Sequence, residues 1–143
     1  MQPKFAISTE KTKLDAKAIH TLLNQTYWAK GISEELVGIA IANSICCGAY
    51  SSNGEQIGFA RLVTDLATFG YLCDVVVAEQ WRGMGIGKSL TTALLDQPFA
   101  TKLRRIVLAT IDAHTIYAPF GFQPLGSPAR FMEIYRPEIY SRH

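Results

Sequence analysis

The sequence feature that most constrains the fold is the stretch Val75–Leu95, in which an apolar run, a glycine-rich loop and an amphipathic run follow one another. The β-branched run Val75–Val77 predicts a buried strand, and the spacing of Ile86, Leu90 and Leu94 predicts a helix after the glycines. The first turn of a helix has unpaired N–H groups and the positive end of the helix dipole, so it can hold an anion, typically a phosphate. The stretch therefore predicts a strand, a phosphate-binding loop and a helix.

The positions of the glycines separate three known phosphate-binding patterns. The pattern G-x-x-x-x-G-K-[ST] requires a glycine where Arg82 stands, and G-x-G-x-x-G is one residue longer than the spacing of Gly83, Gly85 and Gly87. The pattern R-x-x-G-x-G is met by Arg82, Gly85 and Gly87, and Lys88 adds further positive charge. The alternative is a glycine-rich strand-to-helix turn that binds nothing.

Length and charge bound the class of protein. The chain has 143 residues, which is enough for one domain with one core, and its net charge of +2 gives no strong attraction to nucleic acid or to an anionic membrane. The start, MQPKFAISTEK, has no apolar signal-peptide core, and the longest near-apolar stretch is interrupted by Asn43 and Ser44. We therefore expect a cytoplasmic protein.

The three cysteines do not form a recognisable metal or disulfide pattern. Cys46, Cys47 and Cys73 are odd in number and lack C-x-x-C spacing. All three lie in apolar, strand-like contexts, which favours their interpretation as small core residues. No metal site is predicted.

The N-terminal part of the chain predicts one strand and two helices. Phe5–Ser8 is a candidate first strand, and Asp15 is a candidate N-cap of a helix that ends near Tyr27-Trp28. Ser33 is a candidate N-cap of a second helix.

The rest of the chain alternates strands and helices. Asn53-Gly54 predicts a hairpin turn between strands over 44–51 and 56–64. The order β-α-α-β-β-β-α-β-α-β predicts an α/β fold with a mixed, twisted, mostly antiparallel sheet and helices on both faces. The remaining predicted elements are a central strand over 71–77, the helix after the glycine loop to about Asp96, a strand over 105–110, a short helix capped by Asp112 and a strand over 130–135.

A second pattern lies downstream of the glycine loop. The sequence IVLATIDAHTIYAPFGFQPL combines an apolar strand with Asp112, Ala113, Tyr117, Gly121 and Phe122. The two patterns in this order, with a helix and a strand between them, resemble the two signatures of the GCN5-related N-acetyltransferase (GNAT) family. The upstream elements match too, so the resemblance covers essentially the whole chain.

The resemblance implies an acetyl-CoA-dependent enzyme built around a splayed central strand. Acetyl-CoA is expected in the gap beside that strand, and a primary amine of a small molecule or a peptide is expected to attack the thioester directly, without a metal or an acyl-enzyme. A homodimer is compatible with the resemblance. The expected cofactor-binding residues are Val75, Val76 and Val77 for pantetheine, and Arg82, Gly83, Met84, Gly85, Ile86, Gly87, Lys88 and Ser89 around the pyrophosphate.

Two residues are candidate catalytic groups. Tyr117 stands where many family members keep a tyrosine that protonates the leaving thiolate, although it could equally be a core aromatic. Pro119 requires the helix that carries Tyr117 to be very short or to begin near the proline. Asp74 interrupts an apolar strand and is expected to face away from Val75 and Val77. It could deprotonate an ammonium group or act as a structural acceptor of hydrogen bonds.

Three aromatic residues are candidates for the amine-binding wall. Tyr27 and Trp28 end the first predicted helix, in a region that encloses the acceptor in the family, and Phe69 precedes the central strand. Aromatic faces attract cations, although the same residues could be ordinary core or interface residues.

The sequence therefore predicts an N-acetyltransferase that moves the acetyl group of acetyl-CoA to a primary amine. The first alternative is a non-catalytic acyl-CoA-binding or sensing module. The second is a small nucleotide-binding protein using Gly87-Lys88-Ser89, against which the missing first glycine argues.

Overall fold

The computed structural model describes residues 4–141, and its centre is a five-stranded sheet in the order β1-β2-β3-β4-β5. The first four strands pair antiparallel with their neighbours, and β5 pairs parallel with β4. This confirms the predicted mixed, mostly antiparallel sheet. The strands are β1 (Phe5–Ser8), β2 (Ile45–Ser51), β3 (Gln56–Thr64), β4 (Phe69–Val77) and β5 (Arg105–Val107), and the helices are α1 (Ala16–Asn24), α2 (Glu34–Ala42), α3 (Ile86–Leu95) and α4 (His114–Tyr117).

Apolar side chains on both faces of the sheet meet helices, as the alternation along each strand requires. One cluster packs α3 onto the sheet, with Leu90 and Leu94 fully buried against Leu62 of β3. The other packs α1 and α2 onto the opposite face, with Ile19 and Phe59 at its centre. The predicted placement of helices on both faces is confirmed.

Side-chain caps fix where the first two helices begin. Asp15 Oδ1 accepts a hydrogen bond from the Ala18 amide at 3.1 Å, and Ser33 Oγ accepts one from the Leu36 amide at 3.2 Å. Both predicted N-caps are therefore confirmed. The predicted end of the first helix is wrong, because α1 stops at Asn24 rather than near Tyr27-Trp28.

The central strand separates from its parallel neighbour after a short contact. β4 pairs with β5 only where Phe69, Gly70 and Tyr71 face Arg105, Ile106 and Val107. Beyond Tyr71, the C-terminal half of β4 has no partner on that side among the described residues. The result is a gap between the carboxyl ends of two parallel strands, which confirms the splayed central strand and is where open α/β sheets bind ligands.

Three predictions about the C-terminal part of the chain are wrong. The strand predicted over 105–110 ends at Val107, because divergence from β4 removes its backbone partners. The cap of α4 is not Asp112; α4 has Ala113 at its N-cap, whose amide donates to Thr110 Oγ1 at 3.2 Å. The segment 130–135 forms no strand, since it pairs with no strand edge within residues 4–141.

Pro119 is accommodated by a change of helix type. The α-helical turn His114–Tyr117 is followed directly by a 3-10 helix over Ala118–Phe120, and the proline lies in its first turn. A proline is tolerated there because the first turn of a helix has no internal acceptor for its missing N–H. Within residues 4–141, no helix has the length and apolarity that crossing a bilayer requires.

Candidate active site

The loop after α1 carries the two aromatic residues predicted to bind the amine. Thr26 is buried there; its hydroxyl donates to the Leu23 carbonyl at 2.6 Å and accepts from the Ala29 amide at 3.1 Å. Asn24 accepts from the Gly31 amide at 2.9 Å. These side chains take over hydrogen bonds that a longer helix would make through its backbone, so the chain turns back towards the sheet at Tyr27.

Tyr27 and Trp28 stand against one another at the edge of the sheet. Their ring centroids are 5.1 Å apart with an interplanar angle of 84°, an edge-to-face arrangement that aromatic pairs favour. Both remain exposed, at 66% and 43% of their surface, although they are aromatic. Their exposed faces are therefore available to a ligand.

A bulge in β4 brings Asp74 towards this aromatic pair. Phe59 of β3 pairs with Val76, whereas Arg61 pairs with Cys73, so β4 contains one extra residue at this point. Asp74 takes a left-handed φ of +56°, which is uncommon for a non-glycine residue and places it in the irregular part of the strand.

The carboxylate of Asp74 lies on the α1–α2 side of the sheet and is bound at both oxygens. Oδ1 accepts from the indole N–H of Trp28 at 2.8 Å. Oδ2 accepts from Arg61 Nε at 3.0 Å and lies 2.9 Å from Arg61 Nη2, so the guanidinium binds with two nitrogens. Arg61 Nη1 also donates to Ser44 Oγ at 3.0 Å, and Ser44 donates to the Ala40 carbonyl at 2.7 Å.

Sequence reasoning missed Arg61 and Ser44. The signal was present, because Arg61 and Asp74 are opposite charges that each interrupt an apolar strand, and such charges are rarely buried unless they are paired. Their side chains are 18% and 11% exposed. Only the register between the two strands shows that they meet.

Val75 and Val77 lie on the other face of β4 from Asp74. Both pack against the cluster around α3, whereas the buried Val76 packs with the α1–α2 cluster. Tyr117 and Phe122 pack on the same α3 cluster, with their rings edge to face at a centroid distance of 6.1 Å. Burial raises the pKa of the Tyr117 phenol above its ordinary value, so the hydroxyl keeps its proton.

Arg82 and the glycine loop follow directly beyond β4. Arg82 Nε donates to the carbonyl of Val77 at 3.1 Å, which draws the guanidinium back to the end of the strand. Gly83 and Gly85 adopt left-handed φ values of +84° and +80°, and a Cβ built on either would meet no atom within 4 Å. The loop therefore leaves open space over the start of α3.

The start of α3 is the predicted phosphate-binding position. Gly85 is the N-cap and supplies no side-chain acceptor, while the first main-chain acceptor, its carbonyl, is taken by the Ser89 amide at 3.0 Å. The amides of Ile86, Gly87 and Lys88 precede that bond, so helical geometry gives them no acceptor. Open space, unpaired amides and the nearby Arg82 and Lys88 fit a pyrophosphate.

One cavity of about 380 Å³ brings together residues predicted for both substrates. It is lined by Gln25, Thr26, Tyr27, Trp28, Val75, Val76, Val77 and Arg82. The aromatic pair thus meets the C-terminal end of β4, which β5 leaves unpaired, and the first residue of the loop. Gln25 and Thr26 were not predicted. Phe69 and Tyr117 do not line this cavity; Phe69 is exposed at the far end of β4.

Comparison with known proteins places this geometry in a family. The sequence profile described as "Acetyltransferase (GNAT) family" matches residues 16–122, from the first residue of α1 to Phe122. The chain belongs to the GNAT acetyltransferase family. The predicted resemblance is thereby confirmed.

Individual relatives agree with this assignment. A GNAT-family protein from Xanthomonas campestris, described as an acetyltransferase, is 44% identical in its crystal structure; the comparison covers 99% of this chain and 100% of that one, with a TM-score of 0.93. A curated Gibberella zeae protein named as an acetyltransferase is 32% identical over 76% of this chain and 72% of its own length. A Mycobacterium tuberculosis protein, solved in complex with CoA, shares the fold at 20% identity and a TM-score of 0.68, over 84% of this chain and 72% of that one.

Proposed function

We propose that this GNAT-family chain transfers the acetyl group of acetyl-CoA directly to a primary amine. The observation that carries the proposal is the single cavity that joins Tyr27 and Trp28 to the free end of β4 and to Arg82. A thioester held along Val75–Val77 would lie between the phosphate-binding loop and an aromatic wall. The two substrates would then meet at one place, which is what direct transfer requires.

The loop at Arg82–Ser89 would hold the pyrophosphate of acetyl-CoA. Gly83 and Gly85 leave room for it, and the unpaired amides at the start of α3 together with Arg82 would supply donors. Backbone groups of Val75–Val77 on the side that β5 leaves uncovered would pair with the pantetheine amides. Each of these contacts to acetyl-CoA would come from the main chain or from an exposed cation.

Tyr117 does not line that cavity, but it packs on the α3 face of the sheet with Val75 and Val77, and from there its hydroxyl would donate the proton that the leaving thiolate needs. In the transfer, the amine nitrogen forms a C–N bond with the carbonyl carbon, the C–S bond breaks with its electron pair, and the sulfur takes the phenol proton. The raised pKa of Tyr117 keeps that proton in place before the thiolate forms. The nitrogen loses one proton as it becomes a neutral amide, and the phenolate takes up a proton from that nitrogen or from solvent.

Binding and turnover test this proposal separately. Isothermal titration should detect acetyl-CoA and no comparable binding of ATP with Mg²⁺. A panel consisting of phenethylamine, butylamine, spermidine, glucosamine 6-phosphate and a peptide with a free N-terminus should then release free thiol with at least one member. Acetyl-CoA binding without thiol release from a wider amine panel would instead favour the non-catalytic acyl-CoA-binding module. Binding of ATP in place of acetyl-CoA would overturn the assignment of the loop.

A further inference from the structure

Asp74 is the only carboxylate in contact with the aromatic wall of the cavity among the described residues, and its hydrogen bonds limit what it can do. Both oxygens already accept hydrogen bonds, from Trp28 at 2.8 Å and from Arg61 at 3.0 Å. The side chain is 11% exposed, so little of it faces solvent. A general base needs an oxygen that can reach the substrate proton; Arg61 takes Oδ2 with two nitrogens and Trp28 takes one acceptor site of Oδ1, so a single acceptor site of Oδ1 is left.

Arg61 holds Asp74 through one of its oxygens. Two guanidinium nitrogens reach Oδ2, with Nε at 3.0 Å and Nη2 at 2.9 Å. The side chains of Arg61 and Asp74 are 18% and 11% exposed, and a charge that loses its partner at such a site is costly. The arrangement favours a carboxylate that keeps its place between Arg61 and Trp28.

The same contacts fix the position of Trp28. Its indole has one donor, Nε1–H, and that donor is used on Asp74. Asp74 is in turn held by Arg61, which is fixed to Ser44 at 3.0 Å. A continuous chain of hydrogen bonds therefore runs from the end of α2 through β3 and β4 to the exposed indole that lines the cavity.

We propose that Asp74 is a positioning residue that holds the indole of Trp28, and through it the ring of Tyr27, as the wall against which the acceptor amine is placed. This inference rests on the proposed function in one respect, namely that the molecule placed against the wall is an acceptor amine. The hydrogen bond by which Asp74 holds Trp28, called the tether below, does not depend on turnover. Trp28 is the contact group, and Asp74 and Arg61 act through it.

Fluorescence tests the tether without any substrate. The chain contains two tryptophans, so Trp81→Phe leaves Trp28 as the only one. In that background, Asp74→Ala should shift the emission to longer wavelength and increase quenching by acrylamide, because the indole is released to solvent. Asp96→Ala, at an exposed aspartate at the end of α3, is the matched control and should change neither the emission nor the quenching. Unchanged emission and quenching in a folded Asp74→Ala variant would overturn the tether.

Kinetics with the best amine of the panel test the role in acceptor placement. Trp28→Phe removes the indole donor and keeps the Arg61–Asp74 pair, so it remains informative if Asp74→Ala fails to fold. We expect an amine KM about tenfold higher, as for one lost hydrogen bond, with kcat retained within about threefold and unchanged acetyl-CoA affinity. The amine KM of the double variant Trp28→Phe/Asp74→Ala should be no higher than that of Trp28→Phe alone.

Two results would contradict the positioning role. A fall in kcat of about 100-fold or more in Asp74→Ala, with normal kinetics in Trp28→Phe, would identify Asp74 as the general base. An amine KM in Trp28→Phe equal to that of the parent would show that the wall does not place the acceptor. If no amine turns over, the proposed function fails, while the fluorescence result still decides whether Asp74 holds Trp28.

Discussion

Arg82 and Val77 are joined by a hydrogen bond of 3.1 Å in which the guanidinium Nε donates to the last carbonyl of β4. This contact holds a long side chain against the end of the strand and leaves both Nη groups without a hydrogen-bond partner among the described residues. The charged residue of the loop is therefore oriented before any ligand arrives. Such preorganisation reduces the entropy cost of binding.

Arg82→Ala should weaken acetyl-CoA more than it weakens a pantetheine analogue that lacks phosphate. One lost charge-assisted hydrogen bond corresponds to about 10- to 150-fold in affinity. Arg82→Lys should lie between the parent and Arg82→Ala, because lysine keeps the charge but cannot hold Val77 and a phosphate through one planar group. Arg104→Ala, at an exposed arginine before β5, is the control. Titration calorimetry measures all four, and equal losses for both ligands would show that Arg82 does not contact phosphate.

Gly85→Val should abolish most acetyl-CoA affinity in a chain that still folds. A branched side chain would enter the open space at the start of α3, where the backbone must approach phosphate, and its φ of +80° is strained for valine. Gly54→Val is the matched control, since the φ of Gly54 is also left-handed at +84° and a Cβ there also meets no atom within 4 Å. Circular dichroism and calorimetry should show native helix content with lost binding. Unchanged affinity in a folded Gly85→Val would remove the pyrophosphate from this loop.

Tyr117→Phe should slow the chemical step by about 100-fold while acetyl-CoA binds nearly as before. The ring would still pack edge to face on Phe122, so only the hydroxyl is lost. Because burial raises the pKa of Tyr117, the parent should keep its donor across pH 6 to 10, a range that includes the reference pKa values of a thiol, about 8.5, and of a phenol, about 10. Single-turnover rates are the proper measure, since product release can mask chemistry. A variant with the parent rate throughout that range would make Tyr117 a packing residue.

The three cysteine thiols, of which Cys46 and Cys47 are buried and Cys73 is half-buried, should make the protein less stable in alkali. Burial raises the pKa of Cys46 to about 11 and those of Cys47 and Cys73 to about 12. Thiols in the unfolded chain have a pKa of about 8.5, so above that pH the unfolded chain has lost protons that the folded chain retains. The free energy of unfolding should therefore be unaffected by these groups below pH 8 and fall as the pH rises towards their raised pKa values.

Denaturant unfolding at pH 8 and at pH 10 measures this loss. Cys73→Ala removes one of the shifted groups and should reduce the difference in unfolding free energy between the two pH values, whatever its effect at pH 8. Equal free energies at both pH values for the parent would contradict the burial of the thiols.

Local signals in the sequence were sufficient for most elements and for the position of the glycine loop. The caps Asp15 and Ser33 begin their helices where predicted, and Gly54 adopts a left-handed φ of +84° in the predicted hairpin turn. Caps, turns and glycine spacing depend on neighbours within a few residues, so they can be recognised from the sequence alone. The spacing from Arg82 to Gly87 belongs to the same class of signal.

Elements that need a distant partner were predicted less well. The segment 130–135 has the composition of a strand, but Met132 and Ile134 are 97% and 83% exposed and no edge within residues 4–141 pairs with it. The strand after Arg104 stops at Val107 for the same reason. A strand requires backbone acceptors from another part of the chain, and a sequence pattern does not contain them.

The sequence by itself determined the family, the order of elements from β1 to α4 and the glycine loop between β4 and α3, because each follows from residues close together in the chain. Only the tertiary structure decided the environment of Asp74. Strict alternation along β4 takes no account of an extra residue, and the bulge places the carboxylate between Arg61 of β3 and Trp28 of the loop after α1. These three residues are far apart in sequence and meet because antiparallel register and helix packing bring their backbones together.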